Sequence, residues 1–260
     1  MPVFGGKITG SSHIKKGLPC QDAFRSEKTD SGEIIIAVAD GLGSAEYSDT
    51  GAEIAVNSAV DRIKSLFDRD GKYSIPKAAL MKNRDIVTGA FSAARKTLED
   101  RAAENGYPLK KLACTLIVVF TWEGYVTTGH IGDGAVTAQT DGEIRIISGP
   151  GESEYLNEVT PLTSGNIEDN IRINENIANV EVLAAFTDGC QRAFLEKKNG
   201  EYTPYEPFFS PIFSFAKGIT NEKEASEEIV LFLGSEKMEE NSDDDKTLVI
   251  AVPEREERSR

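Results

Sequence analysis

The chain is poor in several groups that common functions require. Its 260 residues include two histidines, three cysteines and one tryptophan, and only 29 lysines and arginines against 43 aspartates and glutamates. The net charge of -14 repels a phosphate backbone and argues against nucleic-acid binding. Cys20, Cys114 and Cys190 form no C-x-x-C pair, and an odd number of thiols without a leader segment fits reduced cysteines in a cytoplasmic protein. Met1–Gly10 holds no charged stretch followed by an apolar one, and no window approaches the ~20 apolar residues that span a bilayer. No membrane contact is expected.

What is present alternates between strand and helix patterns without a linker, so residues 1–252 read as one domain followed by a charged, flexible tail, 253–260. Strands are expected at Val3–Thr9, Ala23–Glu27, Ile34–Ala39, Cys114–Thr121, Gly124–Ile131, Ala135–Gln139, Glu143–Ile147, Val180–Phe186 and Thr247–Val252. The turns Trp122-Glu123-Gly124 and Thr140-Asp141-Gly142 make the middle of the chain an antiparallel meander. Ala52, Ala55, Val56, Ala59, Val60, Ile63 and Phe67 repeat at helical spacing, as do Leu80, Val87, Phe91, Ala94, Leu98 and Ala102. Pro76 suits the first turn of the second helix and Gly106 its end. A further helix is expected from Asn221, capped with Glu224 and burying Ala225, Ile229, Phe232 and Leu233. Helices with one apolar face each, beside so many strands, predict an α+β fold: a four-layer α-β-β-α sandwich of two mainly antiparallel sheets flanked by helices. The polar stretch 148–179 reads as a long loop.

Asp-Gly occurs five times. Asp70-Gly71 lies in a polar stretch and Asp141-Gly142 joins two alternating strands, so ordinary turn chemistry accounts for both. Asp40-Gly41 and Asp188-Gly189 instead close apolar runs, and Asp133-Gly134 ends Gly129-His130-Ile131-Gly132-Asp133-Gly134. A carboxylate at the mouth of a buried strand loses hydration that only a cation or hydrogen-bond donors restore. Acids also precede strands at Asp22 and at Asp243-Asp244-Asp245. If these segments meet, at least five carboxylates share one cavity, which two or three divalent cations would neutralise. Ligation by oxygen alone points to Mn²⁺ or Mg²⁺.

Six segments in order, Gln21-Asp22-Ala23-Phe24, Val38-Ala39-Asp40-Gly41-Leu42-Gly43, Ala113-Cys114-Thr115-Leu116, Ile131-Gly132-Asp133-Gly134, Phe186-Thr187-Asp188-Gly189 and Asp244-Asp245-Lys246-Thr247, resemble the metal-dependent protein serine/threonine phosphatases of type 2C, in a short bacterial form. The resemblance implies catalytic roles for Asp40, Asp188 and Asp244. It makes Asp40 a carboxylate bridging two metals and Gly41 a carbonyl ligand. Asp188 and Asp244 would bind one of the pair, Asp133 with Asp188 a third ion, and Asp22 the other metal through water. It also implies a flap-like insertion at 148–179 beside the active site, a phosphorylated protein as substrate and a partner serine/threonine kinase. Two adjacent cations acidify a bridging water and offset charge in an in-line displacement, so no protein nucleophile is required.

Three positions depart from that pattern. Gln21 stands where better-known members carry Glu, Leu42 where many carry a general-acid His, and no Arg occupies the N-terminal phosphate-binding place. Lys15 or Lys16 could replace that Arg as a point charge, although a solvated pair is the plainer reading. His130 is read as structural, and His13 as part of a polar loop. These departures keep two alternatives open: a non-catalytic phosphoprotein-binding member of the same fold, and a two-metal phosphohydrolase acting on small molecules.

Overall fold

The computed structural model describes residues 1–67, 77–150, 159–198 and 200–254. Two five-stranded antiparallel sheets form its centre. The first contains β2 (Ala23–Lys28), β3 (Ile34–Ala39), β4 (Leu116–Trp122), β5 (Tyr125–Ile131) and β8 (Arg172–Ile177), in that spatial order. The second runs β1 (Val3–Ile8), β12 (Lys246–Ala251), β9 (Val180–Phe186), β6 (Ala135–Thr140) and β7 (Glu143–Ser148). A separate hairpin joins β10 (Leu195–Lys198) to β11 (Glu201–Pro204). The helices are α1 (Ser11–Lys16), α2 (Ser48–Phe67), α3 (Asn83–Asn105), α4 (Gln191–Phe194), α5 (Glu206–Lys217), α6 (Glu222–Leu233) and α7 (Glu236–Glu239).

The four layers follow from the pleat. On β3, Ile34, Ile36 and Val38 face the other sheet and meet Val136, Leu183, Ala185 and Val249. Ile35, Ala37 and Ala39 face outward, onto Ala52, Val56, Val60 and Ile63 of α2 and Phe91 of α3. Because both faces of the strand are buried, it reads as a continuous apolar run instead of an alternating one. The second sheet turns Phe4, Val182, Phe186, Leu248 and Ile250 toward Phe209 and Phe213 of α5 and Ala225 and Ile229 of α6. The expected sandwich is therefore present.

The differences lie mainly in polar or proline-bearing sequence. The stretch expected as one long loop, 148–179, contains the edge strand β8, paired to β5 across a bulge between Val126 and Thr128. His13, expected in a loop, lies on α1 and is buried. Helix α5, missed altogether, carries Pro207 in its first turn, where no amide partner is needed, and Pro211 inside; its apolar positions Phe209, Phe213 and Ala216 are nevertheless buried at helical spacing. Helix α3 starts at Asn83, and Leu80, expected on its apolar face, is 82% exposed in a short 3-10 turn. Phe232, expected to be buried, is only partly so. Pro76, Asp70-Gly71 and residues 255–260 of the tail lie outside the described residues.

Candidate active site

Antiparallel register brings the distant acids to one end of the sandwich. In the first sheet Ala23 pairs with Ala39, and Leu116 with Ile131, so Asp22, Asp40 and the 132–134 turn emerge together. In the second, Phe186 pairs with both Ala135 and Leu248, which sets Asp188 and Asp244-Asp245 beside that turn. Carboxylate oxygens of Asp40, Asp133 and Asp188 all lie within 4.8 Å of one another. A cavity of about 570 Å³ opens there, lined by Asp133, Asp188, Asp244, Gln191 and Arg192 among others.

The glycines of the Asp-Gly pairs are needed because another segment passes against them. A Cβ on Gly189 would stand 1.9 Å from the carbonyl oxygen of Asp245; one on Gly41 would stand 2.6 Å from that of Ser48 and 2.8 Å from that of Gln21. In the ordinary hairpin turn the reason differs: Asp141 and Gly142 both adopt positive φ, 52° and 86°, as a type I′ turn requires.

Hydroxyls and backbone amides hold the acids in place. The Asp40 N–H donates to Thr115 Oγ1 at 2.8 Å, and the Thr115 N–H returns a bond to the Asp40 carbonyl at 2.8 Å. Asp22, buried, accepts from Thr187 Oγ1 and Thr247 Oγ1, each at 2.7 Å on Oδ2. Gln191 Nε2 donates to the Asp133 carbonyl, and Arg172 Nη2 of β8 to that of Gly132. The buried Lys246 ammonium donates to the Asp244 carbonyl at 2.9 Å.

Asp245 differs from its neighbour in being fully occupied. Its Oδ1 accepts from the Gly10 N–H at 2.7 Å, and its Oδ2 accepts from the Gln21 N–H at 2.5 Å and lies 2.9 Å from His13 Nδ1. It therefore ties the N-terminal segment to β12, while Asp244 is exposed beside the cavity.

Electrostatics set the chemistry of the cluster. Burial, reinforced by the charges of Asp22, Asp188, Asp133 and Asp244, pushes Asp40 well above the usual carboxylate range. Asp188 is pushed up to about 8, by burial first and then by Asp133, Asp22 and Asp244. Asp22 rises to about 7 because burial outweighs the hydrogen bonds from Thr247 and Thr187. Such a group of acids ionises fully only beside cations. Gln21 Oε1 is also buried without a hydrogen-bond partner among the described residues.

Several expected residues stand elsewhere. Lys15 and Lys16 are exposed on α1, form no hydrogen bond or ion pair among the described residues, and line neither the acidic cavity nor the groove beside it. His130 is buried and neutral, with Nδ1 3.1 Å from Ser148 Oγ; burial and then the Arg172 charge lower its pKa. Pro150 and Val159, at the start of the expected flap, do line the acidic cavity. Sequence reasoning missed the roles of Thr187, Thr247, Asp245 and His13. Adjacency to the acids was their only signal, since hydroxyl and imidazole partners leave no periodicity.

The comparisons agree with this geometry. Residues 9–234 match the family model for protein phosphatase 2C. The chain is 28% identical over 249 residues to serine/threonine-protein phosphatase 3 of Escherichia coli (strain K12), covering 94% of each chain. In fold it is similar to the serine/threonine phosphatase Stp1 from Staphylococcus aureus, with a TM-score of 0.65 and 12% identity over 98% of this chain and 96% of that one. The Mycobacterium tuberculosis serine/threonine phosphatase PstP/Ppp gives a TM-score of 0.61 and 15% identity over 97% and 98%. A match spanning most of the chain, on two sheets that bring Asp40, Asp133 and Asp188 together, shows that the chain belongs to the protein phosphatase 2C family.

Proposed function

We propose that the chain hydrolyses phosphoserine and phosphothreonine monoesters in proteins, with divalent cations held by Asp40, Gly41, Asp133, Asp188 and Asp244 and with Asp22 behind them. The observation that carries this reading is the approach of three carboxylates, from the ends of β3, β5 and β9, to within 4.8 Å. The donor set fits hard cations, being all oxygen and crowded with like charge. When bound, two or three Mn²⁺ or Mg²⁺ ions supply an acidified water and offset the charge of the phosphate.

The chain's own residues position and exclude. Thr115 fixes the backbone of Asp40, while Thr187 and Thr247 hold Asp22 to the second sheet. Leu42 has no proton to give, so the leaving oxygen must take its proton from another group or from water. Residues 1–252 act as one catalytic unit, and Pro150 and Val159 line its acidic cavity. The substrate implies a serine/threonine kinase that makes it, and the three free cysteines fit a cytoplasmic setting. Among the described residues no helix is long and apolar enough to cross a membrane.

Phosphate release from phosphopeptides, nucleotides and a small aryl phosphate, with and without Mn²⁺, tests the proposal. Metal-dependent turnover favouring phosphopeptides is expected. Metal binding without turnover would establish a non-catalytic member, and a preference for nucleotides a small-molecule phosphohydrolase.

A further inference from the structure

A second cavity, of about 690 Å³, lies between α4, α5, α6 and α7. Its wall is largely apolar, with Tyr205, Phe208, Ile212, Phe215, Phe232 and Met238 among the lining residues. Phe208 is fixed from below, stacked on buried Phe194 with ring centroids 3.8 Å apart and 5.5 Å from Phe232. Tyr205 and Phe215 remain 39% and 42% exposed. A groove of this size with a rigid aromatic floor is suited to a bulky side chain.

Its position says which chain carries that side chain. Arg192 and Leu195 line both this groove and the acidic cavity, so the two openings share a wall. The Arg192 guanidinium is exposed and makes no hydrogen bond or ion pair among the described residues. It stands four positions after Asp188, where a dianionic phosphate entering a site of aspartates needs a positive partner; Lys197 also lines the acidic cavity, but its ammonium sits 5.5 Å over the Tyr202 ring and it does not reach the groove, and neither Lys15 nor Lys16 lines either opening. A cation without a partner among the described residues, at the junction of an acidic pocket and an apolar groove, is complementary to a phosphorylated residue flanked by an apolar one.

We propose that the substrate polypeptide lies across Arg192, with its phosphate in the acidic cavity beside that guanidinium and a neighbouring bulky apolar residue in the groove. The groove thereby selects phosphoproteins by the sequence around the phosphoresidue. The proposal rests on the phosphatase reading, and its test separates the two.

Phosphothreonine peptides in a Gly/Ser background, with one Phe walked outward position by position on either side, are compared with the Phe-free peptide and with an aryl phosphate. KM is expected to fall by about tenfold for one or two placements of the Phe, from burial of the ring. Ile212→Asp should erase that gain and leave aryl phosphate turnover unchanged, whereas Arg192→Gln should raise KM for every phosphorylated substrate. Equal KM for all peptides, with aryl phosphate turnover intact, overturns the groove and leaves the phosphatase reading standing. If nothing is turned over, fluorescence anisotropy of labelled peptides on the metal-free protein decides. Phe-dependent binding lost in Ile212→Asp supports the groove while the hydrolase reading fails, and binding indifferent to Phe overturns the groove as well.

Discussion

The two helical layers cover their sheets in different ways. On one side α2 and α3, of 20 and 23 residues, close over β3 and β4 with Ala, Val, Ile and Phe side chains that are essentially inaccessible. On the other, α5 and α6 have 12 residues each and leave the aromatic groove open, with Tyr205 and Phe215 in its wall at 39% and 42% exposure. The first side is a scaffold that holds Asp22 and Asp40 at strand ends. The second keeps apolar surface accessible, and its α4 carries a cation beside the acids. A chain that needed only stability would cover both faces alike.

The largest effect should come from breaking the acidic end that both sides support. Asp40→Asn and Asp188→Asn each remove the charge of a proposed metal ligand without changing shape, so phosphopeptide turnover should fall to assay background while the far-UV circular dichroism is unchanged. Wild-type rates in either variant would remove Asp40 and Asp188 from the site.

The contrast between the layers should then be visible in stability. Phe91→Ala on α3 empties a fully buried position and should cost about 3–5 kcal/mol. Ile212→Ala, partly exposed on α5, should cost about 1 kcal/mol or less. Equal losses in urea unfolding would mean that the groove is as tightly packed as the scaffold.

The scaffold and the acids were largely legible in the sequence, for one physical reason: a strand buried on both faces is a continuous apolar run, and an Asp-Gly at its end breaks that run abruptly. Ile34–Ala39 and Val180–Phe186 show this, and their strand bounds agree with expectation. The recognition side was not legible. Pro207 and Pro211 disguise α5, and β8 is a polar edge strand whose Asn174 and Glu175 resemble loop composition. Arg192 follows the Asp188 motif by four residues, and nothing in the sequence marks it as the residue shared by two openings. Asp245 stands in the same acidic run as Asp244, and only the bonds to Gly10, Gln21 and His13 distinguish a brace from a ligand.

Protons and cations should compete at the acidic end. In the unfolded chain Asp22 and Asp188 ionise near 3.8, whereas burial holds them protonated in the folded protein until about 7 and about 8. Folded protein then binds more protons than unfolded across that window, so these groups make metal-free protein lose stability as pH rises from 3.8 toward 8. Mn²⁺ should reverse the loss, raising the melting temperature more at pH 8 than at pH 5. Thermal scans of wild type and Asp188→Asn, each with chelator and with Mn²⁺, isolate the contribution. A pH slope identical in the two proteins would show that Asp188 is not held protonated by burial.

The smallest expected effect separates the layers at their helix starts. Asn221 caps α6, its side-chain oxygen accepting from the N–H groups of Lys223 and Glu224 at 3.1 and 3.4 Å. Helix α3 begins after Lys82, which offers no side-chain cap. The long helix takes its acceptor from another element, Glu175 Oε1 of β8 accepting from the Arg84 N–H at 2.8 Å, and seven of its residues are buried against the sheet and α2. The short helix buries only Ala225, Ile229 and Leu233 and depends more on its terminus. Asn221→Ala should therefore cost about 1 kcal/mol, and Lys82→Ala close to nothing. If the groove is a substrate channel, loosening α6 should also weaken the preference for Phe-bearing phosphopeptides while leaving aryl phosphate turnover alone. A loss of stability with no change in peptide preference would confine the role of α6 to packing.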